Sequence, residues 1–179
     1  MSSTTANQQR YDPTTVVFHW LVAILVLAQW LGAHTIDWFP RGPLRVDARS
    51  LHIILGVSLG GILAARVAWR LGRGRNLPPV GRGWMEAAAR AVHLGLYALV
   101  AAAVAVGVAL TWARGDSLFN LVRIPSFDPG NRALVEQIQE IHEAIGWAIL
   151  VGIGVHAAAA LYHQYALRDG LLDRMKLGG

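Results

Sequence analysis

Four stretches of this chain contain no Asp, Glu, Lys or Arg: Val16 to Ile36, Ser50 to Ala65, Ala91 to Ala113 and Ala144 to Leu167. A helix needs about 20 apolar residues to cross the hydrocarbon of a bilayer, and three of the stretches meet that length as they stand. The second reaches it if Arg66 and Arg70 snorkel, which lets the helix run on to about Trp69. Membrane spans are therefore expected at about 16–36, 50–69, 91–113 and 144–167. Composition points the same way. Hydrophobic residues make up 54% of the chain and charged ones only 15%, too thin a charged shell for a water-solvated surface. The expected fold is all-α, an integral membrane four-helix bundle of up-down-up-down topology, forming one transmembrane domain over 1–179.

The charges that remain carry topological information. The chain has 16 basic and 11 acidic residues and a net charge of +5, but the charges lie between the apolar stretches, so nucleic acid is not an expected partner. Placing both termini inside assigns ten Lys and Arg to the cytoplasm and six to the other face, which satisfies the positive-inside rule. The first apolar stretch is too long for a signal h-region and is read as a retained span. Trp20, Trp38, Trp69, Trp84 and Trp112 fall near span ends, where an indole suits the headgroup level. Residues 132–143 read as a helix extending above the membrane after the turn-rich Pro125 to Asn131.

The absence of cysteine excludes thiolate iron–sulfur clusters, Cys-based zinc sites and covalent haem attachment, and leaves seven histidines as candidate metal ligands. An ionisable group at membrane depth is costly, so its default reading is functional. His19, His93, His156 and His163 fall toward the cytoplasmic side, and His34, His52 and His142 toward the outer side. His142 and His156 are fourteen residues apart, roughly 21 Å along a helix and on nearly the same face. One helix thus aims imidazoles into the bundle at two depths. A single metal cannot use both, whereas two haems stacked across the membrane can, each taking a second axial histidine from another helix. Depth leaves His52 or His34 to join His142, and His19 or His93 to join His156. Zinc would want three or four clustered ligands, which the spacing does not provide. Gly56, Gly60, Gly61, Gly107, Gly146, Gly152 and Gly154 leave room for a flat macrocycle, although on glycine alone close helix approach is the simpler reading.

The segments F-H-W-L-V-A at 18–23, F-P-R-G-P-L at 39–44, H-I-I-L-G at 52–56, R-V-A-W-R at 66–70, H-L-G-L-Y at 93–97, R-G-D at 114–116, H-E-A-I-G-W at 142–147 and H-A-A-A-A-L-Y-H-Q-Y at 156–165 together resemble the bacterial cytochrome b561 family. The resemblance runs from about Tyr11 to Met175. It implies four spans with cytoplasmic termini in the bacterial inner membrane and two b haems. His19 with His156 would hold the inner haem iron, and His52 with His142 the outer. Many relatives carry a second histidine where this chain has Gln164, a departure that touches only an inner proton pathway.

Two haems bring four propionates. Arg66 and Arg70 inside, and Arg49 and Arg114 outside, are the candidate donors to propionate or substrate, since guanidinium binds carboxylate bidentately. His163, seven residues beyond His156, is a candidate to deliver protons to a reduced quinone, the alternative being an interfacial histidine among lipid headgroups. His93 shares those two readings and adds a hydrogen bond to a haem edge, and His34 is read as a solvated residue at the outer rim.

An iron with two axial histidines passes electrons but does not open a site for oxygen. The expected function is transmembrane electron transfer. The resemblance implies superoxide as donor at the outer face and ubiquinone as acceptor near the inner face, making the chain an oxidoreductase. A quinol or a protein is the alternative donor. Broad electrostatic steering of superoxide is not expected, because Asp37 to Arg49 sums to +1 and Arg114 to Glu143 to −2. Local attraction would fall to Arg49 and Arg114, with Arg41 or Arg45. The competing functions are the cytochrome b anchor subunit of a hydrogenase- or formate-dehydrogenase-like complex, and a haem-free membrane bundle.

Overall fold

The computed structural model describes residues 10–78 and 83–176. Arg82, counted above with the basic residues of the second loop, and both ends of the 1–179 domain lie outside the described residues.

Helix α1 (Pro13–Thr35) starts where Pro13 pre-sets the first helical φ and Asp12 caps it, its carboxylate accepting from Thr15 N at 2.9 Å and Thr15 Oγ1 at 2.7 Å. A short 3-10 turn, Ile36–Trp38, leads to α2 (Pro43–Gly72), again with proline in its first turn. Helix α3 (Trp84–Arg114) stops at Gly115, whose left-handed φ of 69° a side chain would strain. Strands β1 (Ser117–Leu118) and β2 (Val122–Arg123) pair antiparallel as a small hairpin. Helix α4 (Arg132–Tyr162) is capped by Asn131, which accepts from Leu134 N at 3.0 Å, and runs on as a π-helix over His163–Leu167. A final 3-10 turn, Leu171–Met175, follows.

The four long helices form the up-down-up-down bundle expected, with α1 against α2, α2 against α3 and α3 against α4. All four are long and apolar enough to cross a membrane. They overrun the charge-free stretches at most ends: α2 begins at Pro43 rather than Ser50 and α3 at Trp84 rather than Ala91, while α4 begins at Arg132 and includes the helix expected over 132–143. The reason is physical. Charge marks where hydrocarbon ends, but a helix satisfies its own backbone in water too, and 30 residues extend about 45 Å against a core of about 30 Å. The hairpin over 117–123 has no hydrophobic alternation to announce it.

Long apolar residues such as Ile24, Leu31, Val57, Leu94 and Val151 are exposed on the outside of the bundle, the distribution expected of a surface solvated by lipid. The buried core is small: Val22, Val26, Leu59, Leu63, Val100 and Ile149. Val22 and Val26 lie between His19 and Gln29 on α1, Leu59 and Leu63 between His52 and Arg66 on α2, and Ile149 midway between His142 and His156 on α4. The core is thus a septum with one cluster of histidines on each side. The described chain ends meet at the His19 and His156 end, called here the terminal end, where Tyr11 N donates to Arg174 O at 3.2 Å and Trp20 Nε1 to Met175 O at 3.1 Å. The opposite end is called the far end.

Candidate functional site

At the far end, His52 of α2 and His142 of α4 face one another with ring centroids 6.3 Å apart and planes at 82°. At the terminal end, His19 of α1 and His156 of α4 stand 6.2 Å apart at 67°. A metal–imidazole bond is about 2 Å, and the ring centre lies about 1 Å beyond the bonding nitrogen. Two imidazoles on opposite sides of one metal ion therefore have centroids about 6 Å apart. Both pairs have the spacing that a shared metal between them demands, and it is too long for a direct hydrogen bond. Among the described residues no three of His, Cys, Asp and Glu gather to hold a metal ion, so the chemistry is that of pairs.

The far-end pair opens into a cavity of about 1190 Å³ between all four helices. That exceeds the usual size of a small-molecule pocket and suits a large planar ligand. Two glycines shape it. A Cβ on Gly107 would stand 3.0 Å from His142 Cε1, and one on Gly56 would stand 2.8 Å from Gln29 Nε2. Gln29 donates from that amide to the His52 carbonyl at 2.9 Å, tying α1 to the turn of α2 that carries the histidine. Among the described residues the buried Nε1 of Trp30 has no hydrogen-bond partner. An unpaired buried donor is costly, and Trp30 lines the cavity together with His52 and His142.

The remaining expected residues divide between the ends. His93 of α3 joins the terminal cluster, its ring 5.1 Å from that of His156, closer than opposite ligands of one metal stand. Arg66 Nη2 lies 3.3 Å from His19 Nδ1, its guanidinium sits over the Tyr97 ring at 5.3 Å, and its buried Nε has no hydrogen-bond partner among the described residues. Arg70 lies over the Tyr11 ring at 5.4 Å. His163, at the start of the π-helix, faces Asp169 with Nδ1 2.5 Å from Oδ2. At the far end His34 is exposed, hydrogen-bonded to Trp30 O at 2.8 Å and packed between Trp30 and Trp147 rather than against His142. Arg49 and Arg114 both line the cavity, and both reach one carboxylate, Asp116, at 3.1 and 3.6 Å. Arg45 pairs with Asp37 at 3.3 Å, and Arg41 is exposed.

Sequence reasoning passed over Gln29 and Asp116. Gln29 had a signal, since an amide deep in an apolar span is itself costly. Asp116 had a weaker one, its place directly after Arg114 and the helix-ending Gly115.

A membrane bundle that holds imidazole pairs from different helices at two depths, each at metal-bridging distance, defines a class: transmembrane proteins with paired histidines facing one another inside a four-helix bundle. The chain matches the family described as Prokaryotic cytochrome b561 over residues 10–178 and belongs to it. It is 28% identical over 173 residues to Cytochrome b561 homolog 1 of Escherichia coli (strain K12), covering 93% of this chain and 96% of that one. To Cytochrome b561 homolog 2 of the same organism it is 29% identical over 187 residues, covering 97% and 94%. To a Yersinia pestis protein named "Probable superoxide oxidase CybB" it is 27% identical over 172 residues, covering 93% and 96%. The chain is a multi-pass membrane protein that binds haem b and transfers electrons.

Proposed function

We infer that this chain carries two b haems in one transmembrane domain and conducts electrons from superoxide at the outer face to ubiquinone near the inner face. The observation that carries the reading is the septum of apolar residues with a 6.3 Å imidazole pair on one side and a 6.2 Å pair on the other. His52 and His142 would hold the outer haem iron, and His19 and His156 the inner. The distribution of Lys and Arg supports placing the terminal end in the cytoplasm of a bacterial inner membrane. Superoxide as donor is supported by the printed name of the Yersinia pestis relative.

When bound, each haem would supply a one-electron iron couple, held by the paired histidines. Two superoxide anions give up two electrons and leave as oxygen, and one ubiquinone takes up the two electrons with two protons and leaves as ubiquinol. The chain's own residues do the rest. Gly56 and Gly107 keep the far-end cavity open, and Gln29 fixes the turn bearing His52. Arg66 and Arg70 offer donors to carboxylates at the terminal end, and Arg49 and Arg114 offer them at the far end. His163, its Nδ1 turned to Asp169, presents Nε2 to hold a proton for the reduced quinone.

The test is haem quantification joined to a donor assay. Two haems per chain, reduction by a superoxide source and reoxidation by ubiquinone are expected. One haem per chain would overturn the pairing. Haems untouched by superoxide but reduced by a partner dehydrogenase would make the chain an anchor subunit instead.

A further inference from the structure

Asp116 is the buried carboxylate of the far end, with 6% of its surface exposed. It is held rigidly. Gly115 turns the chain through a left-handed residue, Asp116 N donates to Thr111 O at 3.3 Å, and Asp116 O accepts from Ile124 N at 2.9 Å. The next residue is fastened to α2: Ser50, fully buried, brings its hydroxyl within 3.2 Å of Ser117 O and accepts from Phe119 N at 2.8 Å. From that fixed position Oδ1 meets Arg49 Nη1 and Oδ2 meets Arg114 Nη1. Arg114 is braced again through Nη2, which donates to Gln139 Oε1 at 2.9 Å.

The position of this triad matters more than its stability. Arg49 lies three residues before His52 on α2, and Gln139 three before His142 on α4, so the triad sits one helical turn beyond the imidazole pair, at the end of the same cavity. Two cations and one anion leave it with a net charge of +1. The other acids of the cavity wall are engaged: Asp37 pairs with Arg45, and Glu143 accepts from Gln139 Nε2 at 2.9 Å. A lone pair of arginines there would repel one another and splay. Asp116 holds them side by side and offsets half their charge.

We propose that Asp116 is the positioning and charge-setting residue of the far-end site, holding Arg49 and Arg114 over the outer haem and limiting both that haem's affinity for an electron and the rate at which an anionic donor reaches it. The proposal rests on the outer-haem reading above but not on the identity of the donor. No bond is made or broken at Asp116. A negative charge beside a redox centre disfavours the added electron, and a negative charge at a cavity mouth slows an approaching anion.

The test is a charge cycle in the haem-loaded protein, read by potentiometric titration of the outer haem and by the salt dependence of reduction by a superoxide source. Replacing Asp116 by Asn takes the triad from +1 to +2, Arg49→Gln takes it to 0, and the two together restore +1. The outer haem's reduction equilibrium constant should rise about two- to tenfold in Asp116→Asn, up to about 59 mV for a one-electron couple. It should fall by a like factor in Arg49→Gln and return near the starting value in the double variant. Reduction by superoxide should follow the same order at low salt and converge at high salt, as the mouth's charge is screened. A merely structural role would move both single variants the same way, and that result, or an unchanged potential in either, overturns the proposal. If Asp116→Asn takes up no outer haem, the decision falls to Arg49→Gln with Asp116→Glu, which must lower the potential and leave it unchanged respectively. Ordered potentials without any reaction with superoxide would leave Asp116 its role and remove the donor instead. A wild-type protein with no haem on His52 and His142 would remove the reading beneath both.

Discussion

The two ends of the bundle present the same pair of imidazoles in opposite electrostatic settings. At the far end both arginines are tied to the buried Asp116, and Arg45 is paired with Asp37. At the terminal end Arg66 and Arg70 rest on the faces of Tyr97 and Tyr11, and neither has a carboxylate partner among the described residues. Ring faces stabilise a cation only modestly and leave its charge uncancelled. Uncancelled positive charge favours the reduced state of a nearby redox centre, so the terminal-end haem of the proposed pair should hold its electron more tightly. The bundle then has a built-in downhill direction, from far end to terminal end, which is the direction assigned to superoxide and ubiquinone.

The largest effects should come from taking the ends apart. His52→Ala and His142→Ala should each remove one haem of the two while leaving the other's spectrum intact, and His19→Ala and His156→Ala should remove the complementary one. Haem content per chain and the redox-difference spectrum check this, and a variant that loses both or neither breaks the separation into two sites. His93→Ala sharpens the comparison. With its ring only 5.1 Å from that of His156, it is too close to serve as the opposite ligand, so both haems should remain.

Next in size is the contrast in charge. Arg66→Gln should lower the potential of the terminal-end haem, changing its reduction equilibrium constant by up to about tenfold, or about 59 mV, with the far-end haem nearly unmoved. Spectrally resolved redox titration reads both at once. Equal shifts at the two haems would show that the asymmetry in arginine pairing is irrelevant to potential. Smaller again is the contrast in shape. Gly107→Ala places a methyl 3.0 Å from His142 Cε1, so the far-end haem should be bound less tightly and lost first on dilution or heating, while the terminal-end haem is retained.

The histidines were legible in the sequence because lipid makes every buried polar group conspicuous, and the fourteen-residue interval on one helix carried the two-depth inference with it. Which histidine sits nearest each of the two was not legible from depth alone. It depends on helix rotation, which sets His34 against Trp30 and Trp147 and turns His52 toward His142. Asp116 was illegible for a related reason. It lies 67 residues from Arg49, and only the closure of α2 against the hairpin brings them together. The outer arginines were read as free donors, when their carboxylate partner was already in the chain. Loop charge sums missed this too, since they count Asp116 as one acid among several rather than as the one that touches both cations.

The smallest effect lies at the terminal end, where Asp12 ties α1 to α2. Partial burial works against its ionisation, but hydrogen bonds from Arg75 N, from Thr15 through side chain and backbone, and from Trp69 Nε1 outweigh it and hold the carboxyl well below the usual carboxylate range. A folded-state pKa below the unfolded value of about 4 means the unfolded chain binds the proton more readily. The contribution is therefore complete above about pH 4 and is lost as the pH falls through the folded-state value. Asp12→Ala should cost about 1 kcal/mol at neutral pH, the usual worth of an N-cap, and less as the medium becomes acidic. Thermal unfolding of the detergent-solubilised protein at pH 7 and pH 3 measures it. A gap between the two proteins that widens on acidification would show that Asp12 acts by packing rather than by charge.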